Sequence, residues 1–168
     1  MEGLDSDNLA QTAYHEAGHA VASCLLNIPF LYTTITPSEE RGYVGFTKPV
    51  PKDNLSHQEI CDDMVVLAAG IVATTFLPGG FNDDRFLAGA DDDLNHIRNY
   101  AAHLAVDADE DHRYEEFQRH IDQAHIRANE LLRTPAHRLA VKRVAESLLE
   151  RHTLDHAEVQ QIINQTSI

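Results

Sequence analysis

Residues 8–27 read NLAQTAYHEAGHAVASCLLN, and the reading of this stretch turns on five residues within it, His15-Glu16-Ala17-Gly18-His19. Apolar side chains recur at helical spacing behind Asp5, Ser6 and Asp7, whose short polar side chains favour helix starts, so the stretch is expected to form the first helix. Positions 15 and 19 then lie one turn apart on one face, with a carboxylate between them in sequence. That HExxH spacing suits one zinc ion and leaves the glutamate free to act as a base. With 11 His and 12 Glu in 168 residues, chance alone produces the pattern about 0.05 times, so the match is informative.

With Ala17 as the origin of a helical projection, Ala10, Ala13, Tyr14, Ala20, Val21, Cys24 and Leu25 fall within about 80° of it and define a core-facing stripe. His15 and His19 fall on the opposite side together with Ala22 and Leu26, as expected for the wall of a cleft. Two protein ligands are one short of a catalytic zinc site. The longer HExxHxxGxxH form is absent, because Ala22 and Leu25 stand where its glycine and third histidine belong, so the third ligand must come from elsewhere. Among Asp91, Asp92 and Asp93, only Asp93 falls in the stripe of Ala90, Leu94, Ile97, Tyr100, Ala101 and Leu104. A carboxylate on an apolar face is costly unless paired or coordinated, whereas Asp91 and Asp92 suit capping in solvent. Projection alone leaves Asp93 between a ligand and a cap.

Working outward, Ile28-Pro29 is expected to stop the first helix, and residues 33–47, TTITPSEERGYVGFT, read as strand, loop and strand. Ser56 to Glu59 fits a capping box for a largely buried helix running to Leu77, before Pro78-Gly79-Gly80. Residues 79–89 read as an irregular loop, with Asp91 to Asp93 opening a helix that reaches about Val106. Three helical segments complete the chain: residues 109–133, one capped by Thr134-Pro135, and one opened by a box at Asp155 to Glu158. The expected fold is mainly α, of the α+β class, in one domain over residues 1–168. A small sheet or hairpin follows the HExxH helix, and a helical bundle forms the C-terminal part.

Composition narrows the function classes. Thirteen basic against 27 acidic residues leave a formal charge of -14, which disfavours nucleic acid and anionic lipid as partners. Arg133, Arg138, Lys142, Arg143 and Arg151 are nearly cancelled by Glu146, Glu150, Asp155 and Glu158, so a basic DNA-binding helix is not expected. The longest apolar run, Met64 to Leu77, is too short to span a bilayer, and no basic, apolar leader opens the chain. Cys24 and Cys61 form no CxxC pair and no disulfide framework, which disfavours thiol metal sites and points to the cytoplasm.

YHEAGHAV, TITPSEERGYVGFT, MVVLAAG, GADDDL and AESLLERHTLDHAEV occur in that order. Together they resemble successive blocks of the peptidase domain of FtsH-type zinc metalloproteases, over nearly the whole chain. The resemblance implies a zincin-like fold and maps that family's third zinc ligand, the aspartate of its Gly-Ala-x-x-Asp block, onto Asp93. It implies that His15, His19 and Asp93 bind Zn2+ and that Glu16 is the catalytic base. Two departures stand out. No Walker phosphate loop occurs, so peptide hydrolysis independent of ATP is expected, and the family's hexamers form partly through ATPase modules, which leaves a homo-oligomer open. The family's Gly-Arg-Ala-Ala-Glu-Glu is here Gly70-Ile71-Val72-Ala73-Thr74-Thr75, which removes an acidic pair.

The leading expectation is a metalloendopeptidase acting on flexible or unfolded polypeptides. Tyr43, Val44, Gly45 and Phe46 are read as an edge strand to which an extended peptide adds through backbone hydrogen bonds, with an internal strand as the alternative. The rival expectation is a weak or inactive zinc-holding module that acts through protein–protein contact.

Overall fold

The computed structural model describes residues 6–38, 45–79 and 83–166, apart from the side chains of residues 6–8 and 83–89. The elements run α1 (Ser6–Leu25), β1 (Phe30–Thr34), β2 (Phe46–Pro49), α2 (His57–Thr74), α3 (Asp83–Leu104), α4 (Arg113–Leu132), α5 (Pro135–Arg151), β3 (Thr153–Asp155) and α6 (His156–Thr166). The fold is mainly helical with one small antiparallel sheet, as the sequence pattern predicts.

Helix α1 is the centre of the packing. It runs between α2 on one side and α5 and α6 on the other, while α3 and α4 pack on α2. Ala13, Ala17, Ala20 and Val21 are fully buried, as the stripe predicts, but Glu16, His19, Ala22 and Ser23 are buried as well. The polar side of α1 therefore lines an interior seam and not an open wall. Small residues make this crowding possible. A Cβ on Gly18 would overlap the Ala69 carbonyl oxygen and come within 2.6 Å of the Ala73 Cβ, so the bare backbone lets α2 lie against α1.

Local chemistry sets most helix ends. Helix α1 stops where Asn27 turns left-handed at φ 56°, with Asn27 N–H bonded to Cys24 O and Ile28 N–H to Ser23 O, a Schellman closure two residues ahead of Pro29. Ser56 and Glu59 form the expected reciprocal box at the start of α2, and these bonds pull the Glu59 carboxyl down to about 2. Helix α2 ends at Thr74, short of Leu77, with Thr75 as its cap. Thr134 caps α5 ahead of Pro135, and Asp155 and Glu158 exchange 2.9 Å bonds at the start of α6.

One boundary departs widely from expectation. Helix α3 begins at Asp83, so most of the stretch expected as an irregular loop is helical, and Asp91 to Asp93 sit well inside the helix instead of capping it. The glycine at 89 is tolerated within the helix. The sheet holds a second surprise: its order is β2-β1-β3, with β3 arriving from between α5 and α6. Thr33 pairs with Thr47 on one side and Leu154 on the other, which joins β2 and the segment between α5 and α6 across β1.

Gly18→Ala should cost about 1–3 kcal/mol of stability through overpacking, despite about 1 kcal/mol of improved helix propensity. Urea unfolding measures it, and a stabilised variant would show that the α1–α2 spacing is not set at this residue.

Candidate metal centre

His15 and His19 lie one turn apart on α1 with their rings edge to face, and their Nε2 atoms are 3.0 Å apart. Helix α3 brings Asp93 to them, its Oδ2 2.9 Å from His15 Nε2 and 3.1 Å from His19 Nε2. The three donor atoms make a nearly equilateral triangle. A tetrahedral zinc with bonds of about 2.0–2.1 Å spaces its ligand atoms about 3.3 Å apart, so the set fits such an ion with small shifts. Asp93 Oδ2 is buried against both imidazole nitrogens, so the three donor atoms face a common point.

Helix α2 forms the back of the centre. The carbonyl of Val66 accepts a 2.8 Å hydrogen bond from His19 Nδ1, which leaves Nε2 as the ring's metal-facing atom. Gly70 lies directly behind both rings; a Cβ there would overlap His19 Cε1 and approach His15 Cε1 to 2.9 Å. Strand β2 supplies the remaining wall. Thr47 Oγ1 donates to Glu16 Oε2 at 2.8 Å and lies 2.8 Å from Thr33 Oγ1, which then donates to it. Gly45 presses against the same glutamate: a Cβ would stand 2.9 Å from both Cγ and Oε1 of Glu16.

The electrostatics of the metal-free chain follow from burial set against pairing. Burial alone would lower the His19 pKa, but the Asp93 carboxylate, with Glu16 and the Val66 carbonyl, lifts it to about 9. Burial would likewise raise the Asp93 carboxyl, yet His19 and His15 hold it well below the usual carboxylate range. Glu16 moves up: burial raises its carboxyl, Asp93 adds to the rise, and His19, His15 and Thr47 offset it only in part. A proton on His19 thus supplies positive charge where a bound cation would supply it.

The pattern of Peptidase family M41 matches residues 3–107, a span that holds His15, Glu16, His19 and Asp93. The chain belongs to peptidase family M41. It is 31% identical to the ATP-dependent zinc metalloprotease FtsH 3 of Symbiobacterium thermophilum over 92% of this chain and 29% of that protein. It is 30% identical to FtsH 4 of Sorangium cellulosum, a protein of the same description, over 95% of this chain and 30% of that protein. The chain therefore spans less than a third of the length of these curated relatives.

This M41 chain brings together the four residues singled out by sequence, with Asp93 half-buried while Asp91 and Asp92 are exposed. Gly45 lies against Glu16, and among the described residues β2 runs from Phe46 to Pro49. Tyr43 and Val44 lie outside the described residues. Sequence reading passes over Thr47, Gly70 and the Val66 carbonyl, because their roles arise only from β2 and α2 folding against α1. It also passes over a second donor group, His57, Cys61 and His120, whose ligand atoms lie within 4.8 Å of one another. The i, i+4 spacing of His57 and Cys61 is its only sequence signal.

Because His19 must give up a proton to bind a cation, metal affinity should fall about tenfold for each pH unit below about 9. Competition titrations against a chromophoric chelator between pH 6 and 8 test this. A flat profile would mean that no proton leaves the centre on binding.

Proposed function

We propose that this chain is a zinc metalloendopeptidase in which His15, His19 and Asp93 hold the ion and Glu16 is the general base. The observation that carries this reading is the triangle of three donor atoms separated by 2.9–3.1 Å, with the buried carboxylate of Glu16 on the helix that bears the two histidines. Zinc is the ion expected from the relatives' names, and held there it supplies Lewis acidity, polarising a peptide carbonyl and acidifying water.

The chain's own residues do the rest. Thr47 holds Glu16 Oε2, so Oε1 is the oxygen placed to take a proton from the attacking water. The raised pKa of Glu16 makes it a stronger base than an exposed glutamate and a competent donor of that proton to the departing amine. Gly45 keeps side chains off the same oxygen. We further propose that an extended polypeptide adds along β2, which stands at one edge of the sheet with Thr47 joining it to the base. An extended segment is needed for such pairing, which favours flexible or unfolded substrates. We propose that peptide hydrolysis at these residues itself consumes no ATP, since acid–base chemistry on water transfers no phosphoryl group.

The inactive-module reading draws on the lost acidic pair. Thr74 and Thr75 turn their hydroxyls back onto the carbonyls of Ile71 and Val72. The buried, hydrogen-bonded Glu16 favours catalysis, because holding an ion requires no such base.

Glu16→Gln should keep one zinc per chain while casein cleavage falls about 10²–10⁴-fold, since the amide preserves shape but takes no proton. Wild-type rates in the variant would remove Glu16 from the mechanism. Asp93→Ala should lose zinc far more than Asp91→Ala or Asp92→Ala, as measured by metal analysis after dialysis, and equal losses would reject Asp93 as a ligand. Gly45→Ala should leave zinc bound and slow cleavage, because the methyl group displaces Glu16 and none of the three metal-holding side chains. A variant as fast as wild type would show that Glu16 tolerates displacement.

A further inference from the structure

Away from the HExxH centre, helix α2 begins with a second set of metal donors. His57 and Cys61 lie one turn apart near its N-terminal end, and His120 reaches them from the middle of α4, which packs along α2. The three ligand atoms are within 4.8 Å of one another, and the His57 and His120 rings meet edge to face at 5.7 Å. His120 is buried, Cys61 is half-buried and His57 is exposed, so the set is anchored at its inner end and reachable from solvent at its outer end. A carboxylate stands beside it: Glu116 Oε2 is 3.9 Å from His120 Nε2. That oxygen is already paired with Arg119, whose Nε lies 3.1 Å from it and whose Nη2 stands 3.5 Å from His120 Nε2.

We infer that His57, Cys61 and His120 form a second metal site, with the fourth position left to water, for a late first-row transition ion of the zinc class. One thiolate and two imidazoles are too soft a set for magnesium or calcium and match the ligands of tetrahedral zinc. Such a site has donor atoms roughly 3.3–3.6 Å apart, so closure requires about 1 Å of movement, which the exposed His57 side chain provides by rotation. Binding releases the Cys61 proton to solvent, and the thiolate takes its place on the ion. The ion then ties the first turns of α2 to α4. Gly70, which backs His15 and His19, lies on the same helix about 13 Å further along its axis, so the second ion braces the element on which the first centre rests.

Cobalt(II) is the probe, because only a sulfur ligand gives a near-ultraviolet thiolate-to-cobalt charge-transfer band, and the HExxH centre offers no sulfur. Titration of the metal-free full chain should reach two cobalt per chain with that band present. Cys61→Ser should abolish the band and one equivalent, whereas Cys24→Ser should keep both. His15→Ala should keep the band while losing the other equivalent, so failure at one centre is told apart from failure at the other. His57→Ala, at an exposed position, should weaken band formation at least tenfold, and it serves if Cys61→Ser does not fold. A wild-type chain with no thiolate band, a band that survives Cys61→Ser, or a His57→Ala titration identical to wild type would overturn the site.

Discussion

Helix α2 can reach the HExxH residues only because two glycines face the contact, one from each side. Gly18 of α1 lies under the Ala69 carbonyl, and Gly70 of α2 lies against the rings of His19 and His15. A side chain at either position would push the helices apart in a seam where α1 is already surrounded. The distance so fixed has a chemical effect, since it puts the Val66 carbonyl 2.8 Å from His19 Nδ1 and thereby decides which ring nitrogen faces Asp93. Backbone packing thus sets ring orientation, and ring orientation sets the donor triangle.

That triangle is expensive for the fold by itself. Glu16, His15 and His19 are buried and Asp93 is half-buried, so carboxylates and imidazoles share a volume where unpaired charge costs several kcal/mol. The chain offsets this without an ion by taking up a proton on His19, whose pKa rises to about 9 against Asp93. The same proton competes with any cation. Stability of the metal-free fold and affinity for metal therefore pull in opposite directions as pH falls, with His19 as the shared group.

What could be read in the sequence was local. HExxH, the box at Ser56 and Glu59, Thr134-Pro135 and the box at Asp155 and Glu158 all depend on residues within one turn, and each stands where the spacing predicts. The projection of Asp93 into the stripe of Ala90, Ile97 and Ala101 is local in the same way and agrees with its place beside His15 and His19, although α3 starts earlier than the aspartate run suggests. An aspartate run resembles a helix cap, and nothing local showed that Asp83 had already begun the helix. The rest required distant segments to meet. Thr47 touches Glu16 only because β2 lies across α1, and β3 pairs with β1 although helices α2 to α5 lie between them in sequence. His120 meets Cys61 only because α4 packs on α2.

The acidic pair of the FtsH-type pattern, replaced here by Thr74 and Thr75, gains meaning from this geometry. Both hydroxyls bond to carbonyls of their own helix, so neither takes over the orientation of a histidine. For His19 that task falls to the neutral Val66 carbonyl. A carboxylate partner would raise the basicity of the ring and add negative charge to a buried site. With the carbonyl instead, the seam holds two carboxyl groups, Asp93 and Glu16, beside the two imidazoles. A third carboxylate in this seam would add negative charge that the surrounding alanines of α1 and α2 have no means to stabilise.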